Sequence, residues 1–107
     1  MAEVDVCVVL VNTGSEEEAA RIVRVVVEER LAACGNIYSR VRSIYRWQGA
    51  VEDEAEVPVI LKTTRDRLSD LIARVEVLHS YDVPEIIALP VVEGHAPYLD
   101  WVRKNSR

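Results

Sequence analysis

Residues 36 to 63 constrain the fold more than any other stretch. Two β-prone runs, 36–47 and 51–63, meet at "WQGA" and read as a hairpin of two long strands. Strands of about 12 residues run to ~40 Å at ~3.3 Å per residue. The two short helices predicted elsewhere cannot cover that length, so the hairpin tip must meet another chain or stand in water. Pairing Trp47 with Val51 puts Arg46 opposite Glu52 and Arg42 opposite Glu56 on one face, with Val41 opposite Val57 on the other. Each opposite-charge pair favours that register by roughly 0.2–1 kcal/mol. The loop is then residues 48–50, with Gly49 in its middle. Pro58 cannot donate to a ladder, which predicts a bulge there or a missing neighbour on one side.

The flanking segments alternate in type. Residues 3–11 are Val-rich and read as a buried strand. "SEEE" matches a capping box, with Ser15 as N-cap and Glu18 three residues on. Ala19, Ile22, Val23, Val26, Val27 and Leu31 then follow at helical spacing, and the helix should end between Ala33 and Gly35. "TTRD" starts a second helix, with Thr63 or Thr64 as N-cap and Leu68, Leu71, Ile72, Val75 and Leu78 as its apolar stripe. It should stop near His79 and Ser80, because Pro84 forces the chain to extend. "EIIALPVV" reads as a short buried strand. Gly94 to Pro97 is a turn, and "YLDWVRKNSR" a final helix packing Leu99, Val102 and Trp101.

The order β-α-β-β-α-β plus a helix predicts one α+β domain over residues 1–107: a ferredoxin-like sandwich with an extended hairpin and a C-terminal helix. Both crossover helices then share one face of the sheet. The other face is apolar, and burying it calls for a closed homo-oligomer.

The 107 residues carry a net charge of −5, which argues against nucleic-acid binding by phosphate neutralisation. No apolar run approaches the roughly 20 residues of a membrane span. "MAEVDVCVVLVN" lacks the basic start and cleavage site of a signal peptide, so the expected compartment is the cytoplasm. Cys7 and Cys34 show no metal-thiolate spacing and read as free thiols. No P-loop, GxGxxG or nucleophile elbow occurs, and no enzyme is predicted. The nearest thing to a catalytic cluster is Lys62, His79 and Glu85, which could meet at one end of the sheet as an acid–base group or as an ion pair. His79 alone has three readings: a metal ligand suited to copper beside a thiol, a general base, or a helix-end residue. His95 reads as surface. Tyr45, Trp47, Tyr81, Tyr98 and Trp101 read as interface anchors rather than base-stacking platforms.

"EERLAACGNI", "SIYRWQGAVEDEAEVPVILKTT" and "LHSYDVPEIIALPVVEGHAPYLDWV" together closely resemble the CutA family of divalent-cation tolerance proteins. The resemblance covers nearly the whole chain, and "SIYRWQG" with H-x-Y-x-VPEI is its most specific part. It implies a homotrimer similar in design to the PII signalling proteins, with hairpin strands pairing across subunits. It also implies an intersubunit cleft onto which Cys34, Tyr45, Trp47, Lys62, His79, Tyr81 and Glu85 map. No cofactor is required, but copper or another divalent cation is implied, with His79 as a ligand. The chain departs from the family pattern at Gly35, usually valine, Ser80, usually proline, and Asp82, usually glutamate. Asn12 and Leu78 stand where one branch of the family has a cysteine and a histidine proposed as ligands. Two readings follow: a trimer that binds metal or a small ligand, and a structural or signalling trimer that recognises a protein partner without metal.

Overall fold

Ser15 separates the first strand from the first helix, as the capping box predicts. Its hydroxyl accepts the Glu18 N–H at 3.1 Å in the computed structural model, which describes residues 4–107. The first residue of the predicted first strand, at position 3, lies outside the described residues. The elements are β1 (Val6–Thr13), α1 (Glu16–Glu28), β2 (Cys34–Ile37), β3 (Val41–Trp47), β4 (Ala50–Thr64), α2 (Leu68–Leu78), β5 (Ile86–Pro90) and α3 (Ala96–Asn105). A short 3₁₀ turn, Arg65–Arg67, leads into α2. Thr64 precedes that turn, but its hydroxyl bonds Asp66 and makes no helix cap.

The strands form one antiparallel sheet in the order β2-β4-β1-β5, with β3 pairing β4 beyond β2. This is the predicted ferredoxin-like arrangement. The two-residue period of β1 buries Val9, Val11 and Thr13 on one face and leaves Val8, Leu10 and Asn12 half-buried on the other. Val57, Val59 and Leu61 of β4 share the buried face. Ala19, Ile22 and Val26 of α1 and Leu71 and Val75 of α2 pack onto it to form the core. Burying each such aliphatic side chain contributes roughly 1.5–3 kcal/mol.

Helix α1 ends at Glu28, several residues before the predicted stop. Arg30 takes a positive φ of 62°, and the Leu31 N–H reaches the Val26 carbonyl at 2.9 Å. That is a Schellman closure with arginine where glycine is usual. The Arg30 guanidinium then holds the end of α3 through the Lys104 carbonyl at 2.7 Å and the Arg107 carbonyl. Helix α3 crosses the end of the sheet, burying Leu99 and Val102 against Val6 and Ala33. Trp101 was expected to pack there as well, but it is 43 % exposed and stacks on Tyr98.

Three predicted details of the sheet are corrected. The long strand expected over 36–47 is divided into β2 and β3 by an interruption at Tyr38–Arg40. The hairpin register is shifted by one residue: Trp47 pairs with Ala50, Arg46 with Val51, Arg42 with Ala55 and Val41 with Glu56. The cause lies in the turn. Gln48 and Gly49 have φ of 49° and 83°, the paired positive values of a two-residue turn that matches strand twist. The predicted Arg46–Glu52 and Arg42–Glu56 pairs therefore do not form. Arg42 instead grips Asp53 diagonally with two bonds of 2.8 and 2.6 Å. Finally, β5 is an edge strand rather than a buried one, with Ile87 50 % and Leu89 48 % exposed.

Pro58 has a clear place. Its carbonyl accepts the Tyr38 N–H at 2.9 Å, so its own nitrogen faces the same side, at the interruption between β2 and β3. The return bond that another residue would donate to Tyr38 is left unmade, which fits the end of β2 at Ile37.

Candidate functional site

His79 follows the last turn of α2, with its N–H bonded to the Val75 carbonyl at 2.9 Å. Its side chain is fully buried. Nδ1 accepts the Tyr81 N–H at 3.1 Å, which leaves the proton on Nε2 to be donated to the Asn12 carbonyl at 2.6 Å. Both ring nitrogens are thus engaged in a neutral tautomer. The Tyr81 ring packs on the imidazole with centroids 4.6 Å apart. Of the three readings of His79, the geometry matches the helix-end residue with satisfied hydrogen bonds.

Glu18 closes the same corner from α1. Its carboxylate accepts the Gly14 N–H at 2.8 Å and the Ser80 N–H at 2.9 Å, so the capping-box acid also ties down the segment after α2. Burial works to raise its pKa, but the bonds from Ser80 and Gly14 outweigh burial and hold it below the ordinary value.

Above this corner lies a cavity of about 630 Å³ on the sheet face away from the helices, where the hairpin leaves the sheet. The register sets Ser43, Tyr45 and Trp47 on the same side as Glu52, Glu54 and Glu56. Ser43, Tyr45, Trp47, Glu54 and Glu56 line the cavity from the hairpin, and Tyr81, Asp82 and Glu85 line it from the segment after α2. Asn12 forms the floor, its amide donating to Glu85 Oε1 at 3.3 Å. The Tyr81 hydroxyl donates to Glu56 Oε2 at 3.1 Å. Burial, then the bond to Glu56, push the Tyr81 phenol well above its ordinary pKa. Desolvation, then the charges of Glu54, Glu56 and Glu52, raise Tyr45. Four carboxylates and no cationic side chain line the cavity.

The residues expected in a cleft divide into two groups. Tyr45, Trp47, Tyr81 and Glu85 line the cavity, and His79 lies buried beneath it. Cys34 and Lys62 are elsewhere, opposite each other in the β2–β4 ladder. Lys62 also pairs with Val8, four residues along β1 from Asn12, a separation of roughly 13 Å at ~3.3 Å per residue. Its ammonium bonds Asn36, and the Cys34 thiol lies 3.5 Å from the Tyr98 hydroxyl. That contact, then burial, push Tyr98 up to about 12. The Lys62–His79–Glu85 cluster therefore does not assemble within the chain. The acids Glu54, Glu56 and Asp82 were not singled out as site residues, although the alternation Glu52, Glu54, Glu56 in "VEDEAEV" marks one face of a strand.

A copper centre would require His79 to release a hydrogen bond and Cys34 to leave Tyr98. Among the described residues, no three His, Cys, Asp or Glu side chains converge closely enough to hold a metal ion. Among the described residues of a single chain, the donors do not come together as a copper site.

The family of the CutA1 divalent ion tolerance protein matches residues 7–105. The chain belongs to that family. The divalent-cation tolerance protein CutA of Thermus thermophilus is 52% identical over 99 residues, covering 92% of this chain and 96% of that protein. Human protein CutA is 45% identical over 94 residues, 88% of this chain, but the match spans only 52% of the human protein. Among solved structures, the T. thermophilus CutA1 structure aligns with a TM-score of 0.93 at 50% identity, covering 95% of this chain and 99% of that one. The periplasmic divalent cation tolerance protein CutA of Archaeoglobus fulgidus aligns at 0.92 with 32% identity, covering 95% and 99%. An Arabidopsis relative is named a chloroplastic CutA, so family members occupy different compartments. Among the described residues of this chain, no helix is long and apolar enough to cross a membrane.

Proposed function

We propose that this CutA1-family chain acts as a homotrimer that takes up a cation in its acidic cleft, in keeping with a role in divalent-cation tolerance. One observation carries the reading. Glu54, Glu56, Asp82 and Glu85 face a single cavity with no lysine, arginine or histidine in its lining. Oligomerisation is supported by the apolar surface of the hairpin and β5, where Ile44 and Val51 are each 63 % exposed. Neighbouring subunits would wall the cleft and bring Cys34 and Lys62 of one chain towards Tyr45 and Tyr81 of another. The free thiols Cys7 and Cys34 suit a reducing compartment such as the cytoplasm.

Copper is the metal the resemblance implies, whereas the oxygen-rich lining favours harder cations. Calorimetric titration of copper and of magnesium into the wild type, His79→Ala and Glu56→Gln tests the reading. Saturable binding that weakens in Glu56→Gln is expected. Equal copper binding by the wild type and His79→Ala removes His79 from the ligand set. No saturable binding of any cation overturns the cleft's assignment.

The second reading is a trimer that recognises a protein partner without metal. The satisfied hydrogen bonds on both His79 nitrogens favour it. Stoichiometric metal binding combined with no partner captured on an immobilised trimer would count against it.

A further inference from the structure

The imidazole of His79 is enclosed by its own chain. Its side chain has no exposed surface, so a neighbouring subunit adds no contact to it. One of its nitrogens stands between two partners. Nδ1 accepts the Tyr81 N–H at 3.1 Å, and the same atom lies 3.9 Å from Glu18 Oε2. Nε2 donates to the Asn12 carbonyl at 2.6 Å, a bond that the ring makes whether neutral or charged.

A second proton on the ring therefore goes to Nδ1. It occupies the lone pair that the Tyr81 N–H uses and sets two hydrogens against each other. It also gives Nδ1 a donor for Glu18, whose carboxylate already ties down the Gly14 and Ser80 N–H groups. The bond to Tyr81 and an ion pair with Glu18 thus exclude each other. Charges from every side bear on the choice. From α1, Glu18 favours the second proton, while Arg21 opposes it, lying 3.9 Å from Glu18 Oε2 and bonded to the Leu78 carbonyl. Glu56 of β4 and Glu85, just before β5, stand further out, behind the Tyr81 hydroxyl and the Asn12 amide. From β1 the ring meets only the neutral Asn12 carbonyl.

Tyr81 is the group that this choice moves. Its ring packs on the imidazole, and its hydroxyl donates to Glu56, which pairs with Val41 at the base of the hairpin. Ser80 stays bonded to Glu18 in either state, so the bond that answers to the histidine's charge is the one that aims Tyr81.

We propose that His79 is a proton-operated latch. Neutral, it fixes Tyr81 against Glu56 at the base of the hairpin; protonated, it pairs with Glu18 and releases Tyr81. Such a two-state element has its own trigger and stands whether or not the cleft takes a cation.

Nitrogen-15 NMR of the full chain from about pH 8 to about pH 5, where histidines change charge, reads ring and backbone together. The His79 Nδ1 resonance should move to its protonated position. Over the same range, protection of the Tyr81 amide, corrected for intrinsic exchange, should fall by about tenfold or more. His95, exposed at the start of α3, is the internal reference. His79→Asn keeps an acceptor close to the Nδ1 position and cannot titrate, so its Tyr81 amide should stay protected throughout. Glu18→Gln should move the transition to lower pH, because the carboxylate that favours the second proton is gone. A His79 ring still neutral at the acid end overturns the proposal. So does a fall in Tyr81 protection that His79→Asn shares. Should His79→Asn fail to fold, the wild type decides: ring and amide transitions at separate midpoints overturn the latch.

Discussion

Gly35 sits where added volume has nowhere to go. A Cβ built there would stand 2.7 Å from Leu61 Cδ2 and 2.8 Å from Val23 Cγ1. The family resemblance expects valine at this position, so Val23 and Leu61 have taken the space a side chain would fill. Gly35→Ala should lower stability by roughly 1–3 kcal/mol in urea denaturation. In a Val23→Ala background the penalty should shrink by about 1 kcal/mol, a coupling read from the double-mutant cycle. Glu18 gives the residue-scale pH dependence. Its folded pKa is depressed, so its contribution is complete above the ordinary value of 4.5 and is lost as pH falls through the lower folded value. Glu18→Gln should cost about 1–2 kcal/mol near neutral pH and flatten the acid limb of the stability profile. The sequence made Glu18 legible as a capping acid. It concealed the bond to Ser80, because that contact joins residues 62 positions apart. His79 was ambiguous for the same reason: its Nε2 partner, the Asn12 carbonyl, lies 67 positions away, and the nearby bond from the Tyr81 N–H uses backbone that carries no residue pattern.

At the scale of elements, the hairpin shows what sequence patterns can mislead about. Two opposite-charge pairs suggested one register, and a two-residue turn imposed another. Pairs worth a few tenths of a kcal/mol do not outweigh a turn whose twist matches the strands. The turn itself can be tested. Gly49 has no neighbour within 4 Å of an added Cβ, so Gly49→Ala should cost only its left-handed backbone penalty, roughly 1–2 kcal/mol. Gln48→Asn should raise stability by a few tenths of a kcal/mol to about 1 kcal/mol, since asparagine tolerates positive φ better. Chemical denaturation at one fixed protein concentration reads both. The order of elements, the two helix stripes and the first capping box were all legible, because each is a local periodicity. The break at Tyr38–Arg40 was not, although Pro58 marked the place from the opposite strand.

At the scale of the molecule, a span of 46 Å in a chain of this length records a hairpin that projects from its own core. The edge strand β5 ends the sheet with Ile87 and Leu89 half exposed, an edge left open to pairing. Sedimentation velocity at micromolar concentration is expected to show a trimer. The pair Ile87→Lys and Leu89→Lys should shift it to monomer while far-ultraviolet circular dichroism is retained. A monomeric wild type would remove the intersubunit cleft.

Pro58 has a further consequence for how errors spread. Along one side, strand β4 is a rail shared by two zippers, the β2 ladder below Pro58 and the hairpin ladder above it. At the missing N–H the two are uncoupled on that side, so a slipped tooth in the hairpin stops there. The core can keep its alignment while the arm above it is lengthened, re-turned or exchanged.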